Sequence, residues 1–189
     1  MRAVPLSRYL IFFSLAAVGL AADLATKHWA FDRLGPPVSP THWVWKDVFG
    51  FQTQLNPGAL FGIGSDWRLM PYVTCALSIL AAAAIVVWLF VARAARDLLL
   101  TIALGCVTAG ILGNLHDRLG LSAVDGQPVH QVRDWILVMI FGYHWPNFNI
   151  ADSLLVCGAG LVILHAFFAG EGNKPIDAAE PSAGEQSGE

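Results

Sequence analysis

The sequence predicts an all-α membrane protein, a bundle of four transmembrane helices. Of its 189 residues, 56% are hydrophobic and 13% are charged, whereas about 25% of a typical soluble domain is charged. Four apolar stretches, residues 9–26, 70–91, 98–115 and 150–168, are long enough to cross a bilayer, which takes about 20 mostly apolar residues. Tryptophans near the span ends or outside the spans fit a membrane–water interface: Trp29, Trp43, Trp45, Trp67, Trp135 and Trp145.

The first span is expected to be retained rather than cleaved. A signal peptide ends in small residues at its cleavage site, whereas this stretch ends in Asp23 and Lys27, followed by aromatic residues. These two charged residues are four apart, so on a helix they share a face and can pair. Two interpretations stay open: an interfacial ion pair that ends the helix, or a pair that supports an active site from behind.

Basic residues indicate the orientation of the spans. Arg2 and Arg8 precede the first span, and Arg93 and Arg96 lie in the short connection between the second and third. By the positive-inside rule, the N-terminus, this connection and the C-terminus are cytoplasmic. The loop over residues 28–69 also carries basic residues, so the orientation depends on their density.

The chain divides into an integral membrane domain, residues 1–169, and a tail, residues 170–189. The tail is rich in Glu, Ala, Gly, Ser and Pro and cannot bury enough apolar surface to fold alone, so we predict a disordered cytoplasmic tail. Two segments lie outside: residues 43–64, which have strand character and contain the turn signal Asn56-Pro57-Gly58, and residues 120–148.

Composition argues against nucleic acid, metal and cofactor. The net charge is −3, and no basic patch is interleaved with aromatic residues. His116, His130 and His144 are a conceivable metal set, but they lack the His-Glu-x-x-His spacing. The cysteines are interpreted as apolar helix residues, because an apolar environment suppresses the reactive thiolate: Cys75, Cys106 and Cys157.

The third span combines small residues with a polar end. Gly105, Ala109 and Gly113 recur every four residues, a face that allows close helix contact. The polar residues that follow are three strong hydrogen-bonding groups within five residues: Asn114, Asp117 and Arg118. A polar helix end at the interface is one interpretation; we favour a preorganised hydrogen-bond network.

Asn56 and Gly58 also allow two interpretations. The segment can be a turn between two strands, or it can clamp a substrate. Glycine permits close approach of another chain, and an Asn side chain can hydrogen-bond a peptide backbone through both polar atoms.

Asp134 precedes the fourth span and Asp152 begins it, so both fall near one predicted membrane face. Each alone has an ordinary explanation: Asp134 as a cap or surface acid, and Asp152 as the acid three residues after an Asn149 N-cap. Two carboxylates brought together cannot both ionise easily, so one pKa rises. One acid can then activate a water while the other, protonated, polarises a carbonyl, as in aspartic proteases. Ser153 has no evident base.

These motifs together resemble the lipoprotein signal peptidase (signal peptidase II) family, over roughly residues 9–169. The resemblance rests on the order of the motifs and their placement against four spans. No single motif would be enough. The strings are Asp23 with Lys27, Asn56-Pro-Gly-Ala-Leu-Phe-Gly62, Gly113-Asn-Leu-His-Asp-Arg118, Val132-Arg-Asp134 and Phe148-Asn-Ile-Ala-Asp152.

The resemblance implies a four-helix bundle in the bacterial inner membrane, with a small extracytoplasmic β-cradle, a short outer helix and an active site near the outer face. Family members need no metal. They remove the signal peptide from a prolipoprotein just before a diacylglyceryl-modified cysteine, and the cyclic peptide globomycin inhibits them. That substrate and membrane lipid are the expected partners. The dyad maps to Asp134 and Asp152. Positions that orient it or hold substrate map to Asn56, Asn114, Arg118 and Asn149.

Three features depart from the family pattern. Arg133 stands directly before Asp134 where apolar residues are common, Leu60 replaces a usual small residue, and residues 119–131 form a longer segment. Asp125 is the other acid available in that loop. Two further functions are weighed: a transporter or channel, which would need acids near mid-span, and a membrane scaffold that uses the glycine-rich third helix.

Overall fold

The computed structural model describes residues 3–58, 67 and 69–171. Within them, four helices are long and apolar enough to cross a membrane, which confirms the predicted spans. Helix α1 covers Leu6–Arg33 and α2 covers Met70–Val86, which a π-helical turn continues to Val91. Helix α3 covers Leu98–Arg118 and α4 covers Ile150–Glu171.

Helix α1 runs seven residues beyond the predicted end of the first span. The prediction stopped at Thr26 because charged residues interrupt the apolar run, but Asp23 and Lys27 are both buried inside the helix. A helix continues through charges when they are paired away from lipid. The interpretation in which this pair ends the helix is therefore wrong.

The outer segments form two antiparallel sheets. Strands β1 (His42–Trp45), β2 (Phe49–Asn56), β5 (Val132–Ile140) and β6 (Tyr143–Phe148) make a four-stranded sheet in the order β1-β2-β5-β6. A hairpin of β3 (Ser122–Val124) and β4 (Gln127–Val129) makes the second. No separate outer helix occurs among the described residues of these segments. The motif positions Ala59–Gly62 lie outside the description, as do residues 172–189 of the predicted tail.

Helix α3 is the centre of the bundle. Of its most apolar 18-residue window, 61% is buried, against 6–17% for the other three spans. Its small residues bring neighbours close: a Cβ at Gly113 would lie 2.4 Å from an Asp23 carboxylate oxygen on α1. The predicted small-residue face thus lies against α1, and Gly113 leaves room for the Asp23 carboxylate.

An aromatic cluster fixes the larger sheet on the outer end of α1. Ala30, Trp135 and Ile136 are buried together, and the ring of Trp135 lies 5.7 Å from Trp29 and 5.3 Å from Phe51. Aromatic pairs at these distances add about 0.5–1.5 kcal/mol each beyond their burial. Because Trp135 follows Asp134 directly, this packing holds that acid at the end of the bundle.

Candidate active site

Two asparagines connect the two predicted acids. Asn149 Nδ2 donates to Asp134 Oδ1 at 2.6 Å and lies 3.2 Å from Asn114 Oδ1. Asn114 Nδ2 in turn donates to Asp152 Oδ1 at 2.8 Å. Asp134 comes from strand β5, Asn114 from α3, and Asp152 from the first turn of α4, so three elements converge here. Both acids line one cavity of about 970 Å³.

The start of α4 explains how one asparagine serves two purposes. The Asp152 N–H donates to Asn149 Oδ1 at 2.9 Å, and the Asn149 N–H donates to Asp152 Oδ2 at 3.2 Å. This reciprocal pair satisfies two helix-end N–H groups. The ordinary capping interpretation therefore holds for Asn149 and Asp152. The capping pair does not use Asn149 Nδ2 or Asp152 Oδ1, and these two atoms take part in the connection between Asp134 and Asp152.

Asp134 sits where a carboxylate is hard to ionise. It is 2% exposed, and burial is the main reason that its pKa lies well above the usual value; the negative charge of Asp152 raises the pKa further. Hydrogen bonds from Asn149 and Asn56 and the charge of Lys27 offset only part of this. The site is therefore suited to hold a proton on Asp134.

A buried ion network lies behind the acids. Lys27 Nζ is 2.7 Å from Asp23 Oδ2, 3.0 Å from Asp117 Oδ2 and 3.1 Å from Asn114 Oδ1. Asp23 Oδ1 also accepts the Ala151 N–H at 2.9 Å, one residue before Asp152. The three charged side chains are fully buried. These side chains connect α1 both to α3 and to the first turn of α4. This is expected if the Asp23–Lys27 pair supports an active site from behind.

The family model described as signal peptidase (SPase) II matches residues 15–168. The chain belongs to the signal peptidase II family. It is 47% identical over 170 residues to "Lipoprotein signal peptidase" of Rhodopirellula baltica, covering 87% of this chain and 75% of that one. It is 34% identical over 159 residues to the protein of the same name from Rhodococcus jostii, covering 83% and 72%.

A solved bacterial membrane enzyme has a similar fold. One described as "Bacterial membrane enzyme structure by the in meso method at 2.3 A resolution" superposes with a TM-score of 0.71 at 26% identity, over 88% of this chain and 93% of that chain. With the four spans, the family assignment makes this chain a multi-pass membrane protease. The transporter, channel and scaffold alternatives gain no support.

In this signal peptidase II chain, the predicted clamp lies beside the first acid. Asn56 Nδ2 donates to Asp134 Oδ2 at 3.2 Å, and Asn56 Oδ1 accepts the Gly58 N–H at 3.0 Å. Arg118 Nη2 donates to the Gly58 carbonyl at 3.2 Å. Asn56 and Arg118 thus give the cavity a polar wall; a second strand directly after this turn would fall on residues 59–66, which lie outside the described residues.

Arg133 and Ser122 contact the buried ion network of this signal peptidase II chain but were not singled out as site residues from the sequence. Asp117 Oδ1 accepts from Ser122 Oγ at 2.7 Å and lies 2.9 Å from Arg133 Nη2. Asp117 Oδ2 accepts the Arg133 backbone N–H at 3.1 Å. The sequence did contain a signal for Arg133, since an arginine stands next to an acid in an otherwise apolar strand. Adjacent strand residues point to opposite faces, so the fold had to accommodate a charged side chain on each face.

The alternative acid and two of the three histidines lie outside the cavity, whereas His144 lines it. Asp125, the alternative acid, is exposed in the β3–β4 turn and is not among the cavity residues. His116 Nδ1 is 3.2 Å from Ser122 Oγ, and His130 Nδ1 is 3.2 Å from the Arg118 carbonyl. Within residues 3–58, 67 and 69–171, no three His, Cys, Asp or Glu side chains are grouped to hold a metal ion.

Proposed function

We propose that this chain is an aspartic endopeptidase that removes the signal peptide from diacylglyceryl-modified prolipoproteins, just before the lipidated cysteine. The observation that carries the proposal is the connection of Asp134 to Asp152 through Asn149 and Asn114 within one cavity. The name shared by the curated relatives, lipoprotein signal peptidase, supports the substrate class.

The chemistry follows from the two environments. Asp152 takes a proton from a water, whose oxygen forms a bond to the scissile carbonyl carbon, while Asp134 gives its proton to the carbonyl oxygen. When the diol collapses, one hydroxyl proton returns to Asp134, the C–N bond breaks, and Asp152 protonates the leaving amine. Both acids end as they began, as general acid–base catalysis requires.

Asn56, Gly58 and Arg118 are proposed to hold the substrate backbone beside Asp134. Their polar atoms line the cavity or lie at its edge. The same cavity continues between the spans to Leu77 and Val156, which gives the diacylglycerol an apolar wall.

We further propose the bacterial inner membrane, with both termini cytoplasmic and the acids near the outer face. The acids lie at the C-terminal end of α3, whereas Arg93 and Arg96 lie beyond its N-terminal end. At 1.5 Å per residue, the 21 residues of α3 separate the two ends by about 30 Å, one hydrocarbon thickness.

The test uses purified protein in detergent with a diacylglyceryl-modified prolipoprotein, followed by gel mobility. Asp134→Asn and Asp152→Asn should each abolish trimming, whereas Asp125→Asn, a matched acid outside the cavity, should not. Globomycin should block the wild type. Trimming that survives Asp134→Asn, or is lost in Asp125→Asn, would show that the first catalytic acid had been assigned wrongly. A well-folded wild type that cuts no such substrate would overturn the proposal.

A further inference from the structure

Two hairpins of this protein have the same turn geometry, but the first turn residue is an acid in one and an aromatic residue in the other. The β3–β4 hairpin turns through Asp125-Gly126, with φ of 51° and 73°, and the β5–β6 hairpin turns through Phe141-Gly142, with φ of 50° and 78°. Two-residue turns with positive φ at both positions favour Asn-Gly or Asp-Gly. A bulky residue at positive φ is strained, so Phe141 is a poor choice for forming the turn itself.

Phe141 also does not pack within the protein. It is fully exposed, at 106% of its reference area. Burying such a ring would contribute about 1.5–3 kcal/mol, but nothing in the described chain covers it. A strained backbone at a fully exposed aromatic ring indicates that a partner outside the described part of the chain receives the ring.

The segment around Phe141 is rich in exposed apolar and aromatic side chains, and the exposed Lys46 and Asp47 lie in the neighbouring β1–β2 turn. We call residues 140–145 the aromatic hairpin; Ile140, Tyr143 and Trp145 are also exposed in it. From Trp135 to Ala151 the chain contains no Asp, Glu, Lys or Arg. Exposed aromatic residues are typical of the membrane–water interface.

The aromatic hairpin is continuous with the lipid-facing surface. Trp145 lines the same cavity as Leu77 of α2 and Val156 of α4, and those two side chains are exposed on spans that face lipid. Strand β6 therefore lines the cavity that opens between two membrane helices, and it leads directly from the Phe141-Gly142 turn. The partner that reaches this position without any further protein is the bilayer.

We propose that the aromatic hairpin inserts into the interfacial zone of the outer leaflet, with Phe141 as its deepest side chain. It anchors the free edge of the four-stranded sheet beside the opening of the cavity. This interaction with lipid is separate from the proposed peptidase chemistry, so either can fail without the other.

Depth measurement by electron paramagnetic resonance tests the proposal. The protein is placed in nanodiscs of phosphatidylethanolamine and phosphatidylglycerol, and a nitroxide is attached at Phe141→Cys or, as the matched turn control, at Asp125→Cys. The label at 141 should collide more with oxygen and less with a water-soluble nickel chelate than the label at 125. The background is a variant whose native cysteines are replaced by alanine: Cys75, Cys106 and Cys157.

A second variant separates the ring from the fold. Phe141→Asp gives the turn the residue that the other hairpin already uses, so the hairpin should form at least as well. With a nitroxide at Tyr143→Cys, adding Phe141→Asp should raise collisions with nickel. Equal nickel access at positions 141 and 125 would overturn membrane insertion. An unchanged signal at 143 would overturn the anchoring role of Phe141, because the spans alone would then set the depth of the sheet.

Discussion

The contact between α3 and α4 makes Gly110 the most sensitive small residue in the bundle. A Cβ at this position would lie 2.4 Å from the Ala151 carbonyl oxygen, 2.6 Å from Leu155 Cγ and 3.2 Å from the Leu155 nitrogen. Two of these are backbone atoms, which cannot rotate away. Gly110→Ala must therefore push the first turn of α4 outward.

The magnitude follows from two opposing effects. Ala is favoured over Gly in a helix by about 1 kcal/mol, and overpacking a fixed backbone costs about 3 kcal/mol at the upper end of the usual range. We expect Gly110→Ala to lower the free energy of unfolding by about 2 kcal/mol. Gly160→Ala on α4 is the matched control, because its Cβ would meet nothing within 4 Å; it should be neutral or stabilise by up to about 1 kcal/mol.

The assay is unfolding of both variants in mixed micelles by titration with dodecyl sulfate, followed by far-UV circular dichroism. The same displacement would stretch the 2.8 Å hydrogen bond from Asn114 to Asp152, so trimming should also slow in Gly110→Ala and not in Gly160→Ala. Equal stability of the two variants would refute the close α3–α4 contact, because helix propensity alone predicts no difference between them.

Two further predictions concern the charges. Asn56→Ala removes a donor that stabilises the ionised form of Asp134, so the pKa of Asp134 should rise further. Asp134 then keeps its proton to higher pH, and the alkaline limb of the pH–rate profile should move to higher pH, not to lower pH. Arg133→Met removes one of the two Lys and Arg charges that pair with Asp117, and the other, Lys27, is shared with Asp23; the change should cost about 3–5 kcal/mol of stability. Adding Asp117→Asn should cost less than the sum of the single changes; additive losses in the same titration would contradict a coupled pair.

Much of the bundle could be predicted because lipid selects long apolar runs. The same rule misplaced the end of α1, since hydropathy cannot distinguish a charge that faces lipid from one paired inside the bundle. Lys27 is buried only because Asp117 and Asn114 reach it from α3, and such a contact between distant residues leaves no local pattern.

In the polar site, too, some features follow from neighbouring residues in the sequence and others depend on long-range packing. Asn149 could be recognised as a helix cap from its spacing to Asp152, but its second contact, to Asp134, depends on how strand β5 crosses the end of α4. Arg133 was noted only as a departure from a motif. Its partner Asp117 lies 16 residues away on another element, so its burial follows from the packing of the sheet rather than from neighbouring residues.

Charge balance connects these observations. A site that excludes water tolerates little net charge. The buried network contains two acids, Asp23 and Asp117, and two bases, Lys27 and Arg133, so it is neutral when all four are ionised. Of the Asp, Glu, Lys and Arg side chains that line the cavity, two are acids and one is Arg118, so a proton on one acid balances these three charges. Burial and the charge of Asp152 raise the pKa of Asp134, which favours the proton there. The charge count and the raised pKa of Asp134 thus agree.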